Sequence, residues 1–145
     1  MEGTAFSPSS PAEVAAAANA LLGSVDDVLW AAKSPGELVD TVAACEALRA
    51  HLAAIEASAL AEVEDRKVAK QQLAWSSTGD WFTHLAGLHH GPGRAAVRRA
   101  KLLVGDRSLT REALRDGLVS PEQAAVICDA VEHLPTDSHT RELAE

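Results

Sequence analysis

The chain has 145 residues and a formal net charge of −8, and only 3% of its residues are aromatic. A core this poor in aromatic side chains must be built from alanine, leucine and valine, a composition that favours helices. No apolar stretch approaches the roughly 20 residues that span a bilayer, and Cys45 and Cys128 have no metal-ligand spacing. The residues after Met1 have neither the basic start nor the apolar core of a signal peptide, so we expect none. We therefore expect an all-α protein of the reducing cytoplasm.

Three helix starts share one pattern: a Ser, then Pro, and Glu or Gln three residues after the Ser. The Ser hydroxyl can accept from a free backbone N–H, the Glu or Gln side chain can reach back, and proline has no N–H to leave unpaired. The pattern occurs at Ser10–Glu13, Ser34–Glu37 and Ser120–Gln123. It predicts helices that begin at Pro11, Pro35 and Pro121, after a disordered N-terminus at residues 1–10.

The first two helices are predicted to form a long helical hairpin over residues 11–72. The first is expected to run from Pro11 to about Ala32, with one buried stripe formed by Leu21, Leu22, Val25, Val28 and Leu29. The second has no breaker before Gln71, and its apolar residues are spaced by three or four: Leu38, Val42, Cys45, Leu48, Leu52, Ile55, Ala59 and Val63. One small core cannot cover a helix of about 54 Å, so the pattern implies an antiparallel hairpin or a dimer partner. Cys45 lies on this stripe and is interpreted as a small core residue.

A bundle of short helices is predicted over residues 73–145, continuous with the hairpin in one domain. Helices are expected at 79–86 (capped by Thr78), 92–104, 110–115 and 121–133. The residues from Thr140 to the end have a helical pattern without a stop signal. We therefore expect the chain to be a piece of a longer protein.

Residues 78–103 have the pattern of a helix-turn-helix: a short helix, a glycine-containing turn and a second helix. On the second helix, Arg94, Arg98 and Lys101 share the side opposite an apolar arc, and Arg99 flanks them. A cationic stripe opposite an apolar one suits a helix that faces phosphates, although any three-helix core has the same spacing. These four residues are the candidate DNA-binding residues, and the turn from Gly117 to Ala124 forms a second corner of similar style.

Charge is unevenly distributed along the chain. Residues 1–65 carry a net charge of −9, residues 66–115 of +7 and residues 116–145 of −6. A basic middle between acidic ends indicates either an anionic partner such as DNA or internal pairing with the acidic segments. The sequence leaves both alternatives open.

Three blocks of sequence carry a resemblance to a known family: WFTHLAGL at 81–88, RAAVRRAKLL at 94–103 and ALRDGLVSPEQA at 113–124. In order and spacing they resemble the actinobacterial 13E12 repeat family, whose shared part is domain of unknown function 222, over residues 37–134. The chain departs from that family at residues 89–93, where a serine cap is usual. Because members commonly continue into a C-terminal HNH nuclease domain, the resemblance implies the N-terminal helical module of an HNH-endonuclease-type protein.

No pattern in the chain indicates an active site of its own. An HNH site needs a general-base histidine and further ligands for a divalent ion, and the adjacent His89 and His90 are interpreted as a solvated turn pair. No phosphate-binding loop or nucleophile motif is present. We expect no catalytic residue, no metal and no cofactor in this chain.

Two functions are predicted from these features. The first is a non-catalytic module that helps a nuclease engage DNA through Arg94, Arg98, Arg99 and Lys101. The alternative is a module for homodimerisation through the long helix, or for another protein interaction, without DNA contact. Neither involves a membrane or a small-molecule substrate.

Overall fold

The computed structural model describes residues 10–89 and 91–134, and all regular elements among these residues are helical. The α-helices are α1 (Pro11–Leu22), α2 (Pro35–Asp65), α3 (Val68–Gln71), α4 (Thr78–Leu85), α5 (Pro92–Val104), α6 (Ser108–Arg115) and α7 (Pro121–Glu132). The predicted all-α class is confirmed. The predictions of disorder before Ser10, of a turn role for His90 and of a final helix from Thr140 lie outside the described residues.

The described residues fall into two units, 10–39 and 40–134, so the boundary lies inside α2. None of the described helices has the length and apolarity that a bilayer crossing requires. In the first unit no described residue is buried. The buried stripe predicted there is wrong: Leu21 and Leu29 are more than 70% exposed, Leu22 and Val25 are exposed too, and Val28 is half-buried.

The first helix is also shorter than predicted, because α1 ends at Leu22 rather than at Ala32. Gly23 caps it, and the Gly23 N–H donates to the carbonyls of Asn19 and Leu21, which tightens the last turn. Glycine is a poor residue for a helix interior because it loses the most backbone freedom. Two short 3₁₀ helices follow, Gly23–Val25 and Trp30–Ala32.

The long second helix ends earlier than predicted. Lys67 adopts a left-handed conformation with φ of 51°, and its N–H donates to the carbonyl of Glu64 at 3.0 Å. This bond satisfies a carbonyl that the helix end leaves free. The chain then enters α3, which buries Ala69 completely. No glycine or proline marks the break, so the sequence pattern gave no sign of it.

The core of the second unit is formed by one face of α2 and by one face of each of α4 to α7. The α2 residues are small except for one leucine: Ala50, Ala54, Ala57, Leu60 and Ala61. They form a cluster with Phe82, Val97, Ala100, Leu103, Leu114, Ala124 and Cys128. Small residues on the long helix allow the short helices to approach it closely.

The apolar stripe predicted for α2 is therefore on the wrong side of the helix. Cys45 is exposed, which corrects its interpretation as a core residue, whereas Cys128 is fully buried. Leu52 and Ile55 are 45% and 51% exposed. The sequence pattern favoured the large aliphatic residues, but the structure buries the alanines.

α4 and α5 cross closely in the segment predicted to be a helix-turn-helix-like corner. Ser77, rather than Thr78, caps α4, and its hydroxyl accepts from the N–H of Asp80 at 3.0 Å. A Cβ on Gly93 would overlap the Thr83 side chain and the carbonyl oxygen of Gly79. The two helices can cross this closely only because residue 93 has no side chain.

The remaining helix boundaries agree closely with the sequence. Ser10, Ser34 and Ser120 each form both hydrogen bonds with the Glu or Gln three residues later. All three predicted helix starts are therefore confirmed. α5 has the predicted bounds, α6 begins two residues early at Ser108, and α7 ends at Glu132. At the second corner Gly117 has φ of +73°, Ala124 is buried and Ile127 is half-buried.

Candidate functional site

The four candidate DNA-binding residues all lie on α5, and the structure confirms the wheel on which they were predicted. Val97, Ala100 and Leu103 are buried and Ala96 is half-buried, whereas Val104 at the end of the helix is 38% exposed. The basic residues therefore line the opposite side of a helix whose apolar side is fixed in the core. Each of the four contacts a carboxylate of the same chain.

Arg98 and Arg99 pair with α7. Arg99 donates from Nε and Nη2 to the two carboxylate oxygens of Asp129, at 3.1 and 2.9 Å. Arg98 lies 3.1 Å from Glu132 and 3.7 Å from Asp129. The bidentate contact with Arg99 lowers the pKa of Asp129, and it raises the pKa of the Arg99 guanidinium. These pairs tie α5 to α7 on the solvent side of the core.

Arg94 and Lys101 pair with other parts of the chain. Lys101 contacts Asp65 at the end of α2. Arg94 lies 3.4 Å from Asp80 in α4 and is 74% exposed. Hydrogen bonds with the side chains of Ser76 and Ser77 lower the pKa of Asp80, and the charge of Arg94 lowers it further. Both pairs reach across to a neighbouring helix.

Three of the four basic residues line one open groove of about 700 Å³, namely Arg94, Arg98 and Lys101. Lys67 adds a further cation, but the acidic residues Glu64, Asp65 and Asp106 line the same groove. Arg99 lies elsewhere, against Cys128 and the core side of α7. The structure thus brings three of the predicted residues together in a groove of mixed charge.

Sequence reasoning did not name the carboxylates that complete these pairs. They are Asp65, Asp80, Asp129 and Glu132. For Asp65, Asp129 and Glu132 the signal was the acidic charge of the segments on either side of the basic middle, which favours internal pairing. Asp80 lies within the basic middle, where the charge distribution gave no signal. Which carboxylate meets which arginine depends on the packing of the helices and not on their spacing in the chain.

A second candidate surface is the exposed apolar side of α2, formed by Cys45, Leu48, Leu52, Ile55 and Ala59. We call these five residues the α2 outer face. They follow a heptad pattern, with Cys45, Leu52 and Ala59 seven residues apart and Leu48 and Ile55 between them. Such a repeat is typical of a helix that packs lengthwise against another helix.

The α2 outer face lies on the opposite side of the helix from the buried alanines. Each residue of an α-helix is rotated about 100° from the last, which places Leu52 and Ala54 on opposite sides of α2. Ala54 is 5% exposed, and Leu52 is 45% exposed. The helix is thus apolar on two sides, and the described part of the chain buries only one of them.

No group of three or more metal-ligating side chains occurs among residues 10–89 and 91–134. His84 instead lies beside an aromatic ring, with its centroid 5.2 Å from that of Trp75. Comparison with protein-family models, with curated proteins and with solved structures found no match for this chain.

Proposed function

We propose that the chain is a helical self-association module that uses the α2 outer face. The observation that carries this function is the heptad repeat of exposed apolar residues, three of them large aliphatic ones, on a helix whose other side is already packed. Burying such residues against a partner helix favours association by about 25 cal/mol for each Å² of apolar surface removed from water. An isolated exposed leucine is ordinary on a protein surface, but a continuous stripe along a helix indicates an interaction surface.

The pairing of the basic residues supports this function over DNA engagement. All four are next to carboxylates, so DNA must compete with groups already in place. The formal net charge of −8 adds long-range repulsion of the phosphate backbone. Neither effect opposes contact between apolar helix faces.

The test is the mass of the chain in solution across a dilution series, measured by light scattering. We expect a mass that approaches twice 15.2 kDa at high concentration. Leu52→Glu should weaken association by at least about 100-fold, because each copy would bury one unpaired carboxylate and a tenfold loss corresponds to 1.4 kcal/mol. A chain that remains a monomer at high concentration would refute the function.

Val126→Glu is the matched control. Val126 lies on α7 outside the α2 outer face and is 68% exposed, so the substitution makes the same chemical change on another helix surface. We expect its association to equal that of the unchanged chain. Equal weakening by both variants would show that added charge, not the α2 outer face, governs association.

DNA engagement is a second candidate, favoured by the groove that collects Arg94, Arg98 and Lys101 beside Lys67. Exposed ion pairs contribute only about 0–1 kcal/mol each, so phosphates can replace the carboxylates at small cost. Binding of this kind would be dominated by contacts with the DNA phosphates and would not depend on the DNA sequence.

Fluorescence anisotropy with a labelled duplex tests this candidate at about 50 and 200 mM salt, a range over which phosphate contacts weaken steeply. If Arg98 and Arg99 contact DNA, Arg98→Ala with Arg99→Ala should abolish binding. Asp129→Asn should strengthen it, because it frees Arg99 and leaves Arg98 with Glu132 as its one paired carboxylate. Asp27→Asn changes the net charge equally at an exposed site in the first unit and is the control. Absence of binding at the lower salt concentration would remove the candidate.

The resemblance to N-terminal modules of HNH-endonuclease-type proteins stays a prediction. Under it, a self-associating module would bring two nuclease domains together without catalysing a reaction itself. A cytoplasmic location belongs to the same proposal, since neither cysteine pairs with the other.

A further inference from the structure

We infer that two copies of the chain pair antiparallel through the α2 outer face, with the two-fold axis close to Ala50. The inference rests on the proposed function and adds the partner's orientation and register. In this register, two residues lie opposite each other when the number of one, in the first copy, and that of the other, in the second copy, add to 100. Leu48 of one copy therefore lies against Leu52 of the other. Antiparallel pairs of heptad helices meet in this way, with each first heptad position opposite a fourth.

The volumes of the α2 outer face fit this register. Cys45 meets Ile55, a small side chain against a large one, and Leu48 meets Leu52. Ala59 meets Thr41, which precedes the α2 outer face by four residues. Close packing without voids favours such alternation, because each gap in a layer loses contacts on all sides. The two-fold axis generates a second copy of each of these three layers, so the interface contains six.

The parallel, in-register alternative packs the same residues less well. It places Cys45 on Cys45 and Ala59 on Ala59, layers too small to fill the space that Ile55 on Ile55 would hold open. It also sets Glu62, the next residue of the heptad, directly against its own copy, where the long 3.9 Å contact with Arg66 offsets its charge only weakly. Like charges at such a position destabilise the pair, whereas the antiparallel register separates them.

The position of the core along α2 also favours the antiparallel pair. The buried residues of this helix begin at Ala50, and none of the ten residues from Asp40 to Arg49 is buried. In the antiparallel pair this less buried part of one helix lies beside the more buried part of the other. The two bundles of short helices then stand at opposite ends of the pair, and each α2 is covered over its whole central length.

The charges beside the seam are compatible with the two-fold axis. Arg49 lies near the axis, where it would approach its own copy, but Glu46 and Glu122 each bind it within its own chain at 2.8 and 2.6 Å. The two arginines thus reach the axis already neutralised. One pair of helices forms a small interface, so we expect the dimer to dissociate on dilution.

Cysteine cross-linking under mild oxidation tests the orientation, because Cys45 is exposed on the seam and Cys128 is buried. In the antiparallel register the two Cys45 residues are ten positions apart along the axis, about 15 Å, too far for a disulfide. The unchanged chain should therefore remain uncross-linked on a non-reducing gel. Ile55→Cys should become a cross-linked dimer whose linked peptides contain Cys45 and the new cysteine.

The outcomes separate the orientation from the function. A dimer by light scattering whose unchanged Cys45 cross-links to its own copy is parallel, which overturns the inference and leaves the proposed function intact. A monomer overturns both. Spin labels on Cys45 of the unchanged chain provide a second measurement without any core substitution: a separation consistent with about 15 Å along the axis supports the inference, and contact between the labels overturns it.

Discussion

Single residues without side chains decide how closely the short helices approach each other. An added Cβ at Gly93 would lie 2.9 Å from the backbone nitrogen of Thr83, besides overlapping its side chain. Thr83 has little room to move, because its hydroxyl donates to the carbonyl of Gly79 at 2.7 Å. The crossing of α4 and α5 therefore depends on this glycine.

Gly93→Ala is expected to lower the free energy of unfolding by about 1–3 kcal/mol, the usual cost of overpacking a closely packed site. Urea denaturation followed by circular dichroism measures the loss. Gly36→Ala is the control, since a Cβ there would meet nothing within 4 Å, and it should not lower stability. Equal stability of the Gly93→Ala chain and the unchanged chain would contradict the close crossing.

Capping residues act at the scale of the element. Ser120 and Gln123 exchange hydrogen bonds at the start of α7, at 3.1 and 2.8 Å, and that helix buries Ala124, Cys128 and Val131. Ser10 and Glu13 make the same exchange at the start of α1, which buries no residue. Identical local chemistry thus supports a packed helix in one case and an exposed one in the other.

Ser120→Ala should therefore lower the free energy of unfolding by about 1 kcal/mol, the typical cost of losing a cap. Ser10→Ala removes the corresponding hydroxyl hydrogen bond from α1 and should leave the unfolding midpoint of the second unit unchanged. Chemical denaturation monitored by tryptophan fluorescence compares the two. The expectation fails if both substitutions shift the midpoint equally.

At the scale of the whole molecule, ion pairs between helices make stability depend on pH. The Arg49 guanidinium donates to both carboxylate oxygens of Glu122, at 2.6 and 3.0 Å, and lowers the pKa of Glu122 from 4.5 to about 2. The pairs with Arg99 and with Ser76 and Ser77 lower the pKa of Asp129 and Asp80 in the same direction. These contacts join α2 to α7, α5 to α7, and α4 to its own N-terminus.

A carboxylate whose pKa is lower in the folded chain stabilises it above the unfolded pKa, and the stabilisation is lost as the pH falls through the folded value. We expect the urea midpoint to decrease as the pH falls from 4.5 to about 2, the window of Glu122. Glu122→Gln should reduce this dependence. Glu56→Gln, at a site without an ion pair among the described residues, should not, and a midpoint independent of pH would contradict the pairing.

Local signals in the sequence were sufficient for the helix starts and for the class of the protein. The three Ser–Pro patterns predicted the starts at Pro11, Pro35 and Pro121, because a cap acts within four residues and needs no tertiary partner. The opposite placement of basic and apolar residues on α5 was also predicted, because helical periodicity is set by the local sequence. The predictions of helix ends were less accurate. The end of α2, for example, lies at a left-handed Lys67 with no glycine or proline beside it.

Only the tertiary structure decided which side of α2 is buried and which carboxylates the basic residues meet. Periodicity identifies a face by hydrophobicity, so it favoured Leu52 and Ile55, whereas close packing of short helices selected Ala54 and Ala57 for their small volume. The sequence by itself determined an all-helical chain with a basic helix and an apolar stripe on α2. Its packing left that stripe exposed and paired the basic helix with Asp65, Asp80, Asp129 and Glu132, because contacts between distant segments depend on how the helices pack.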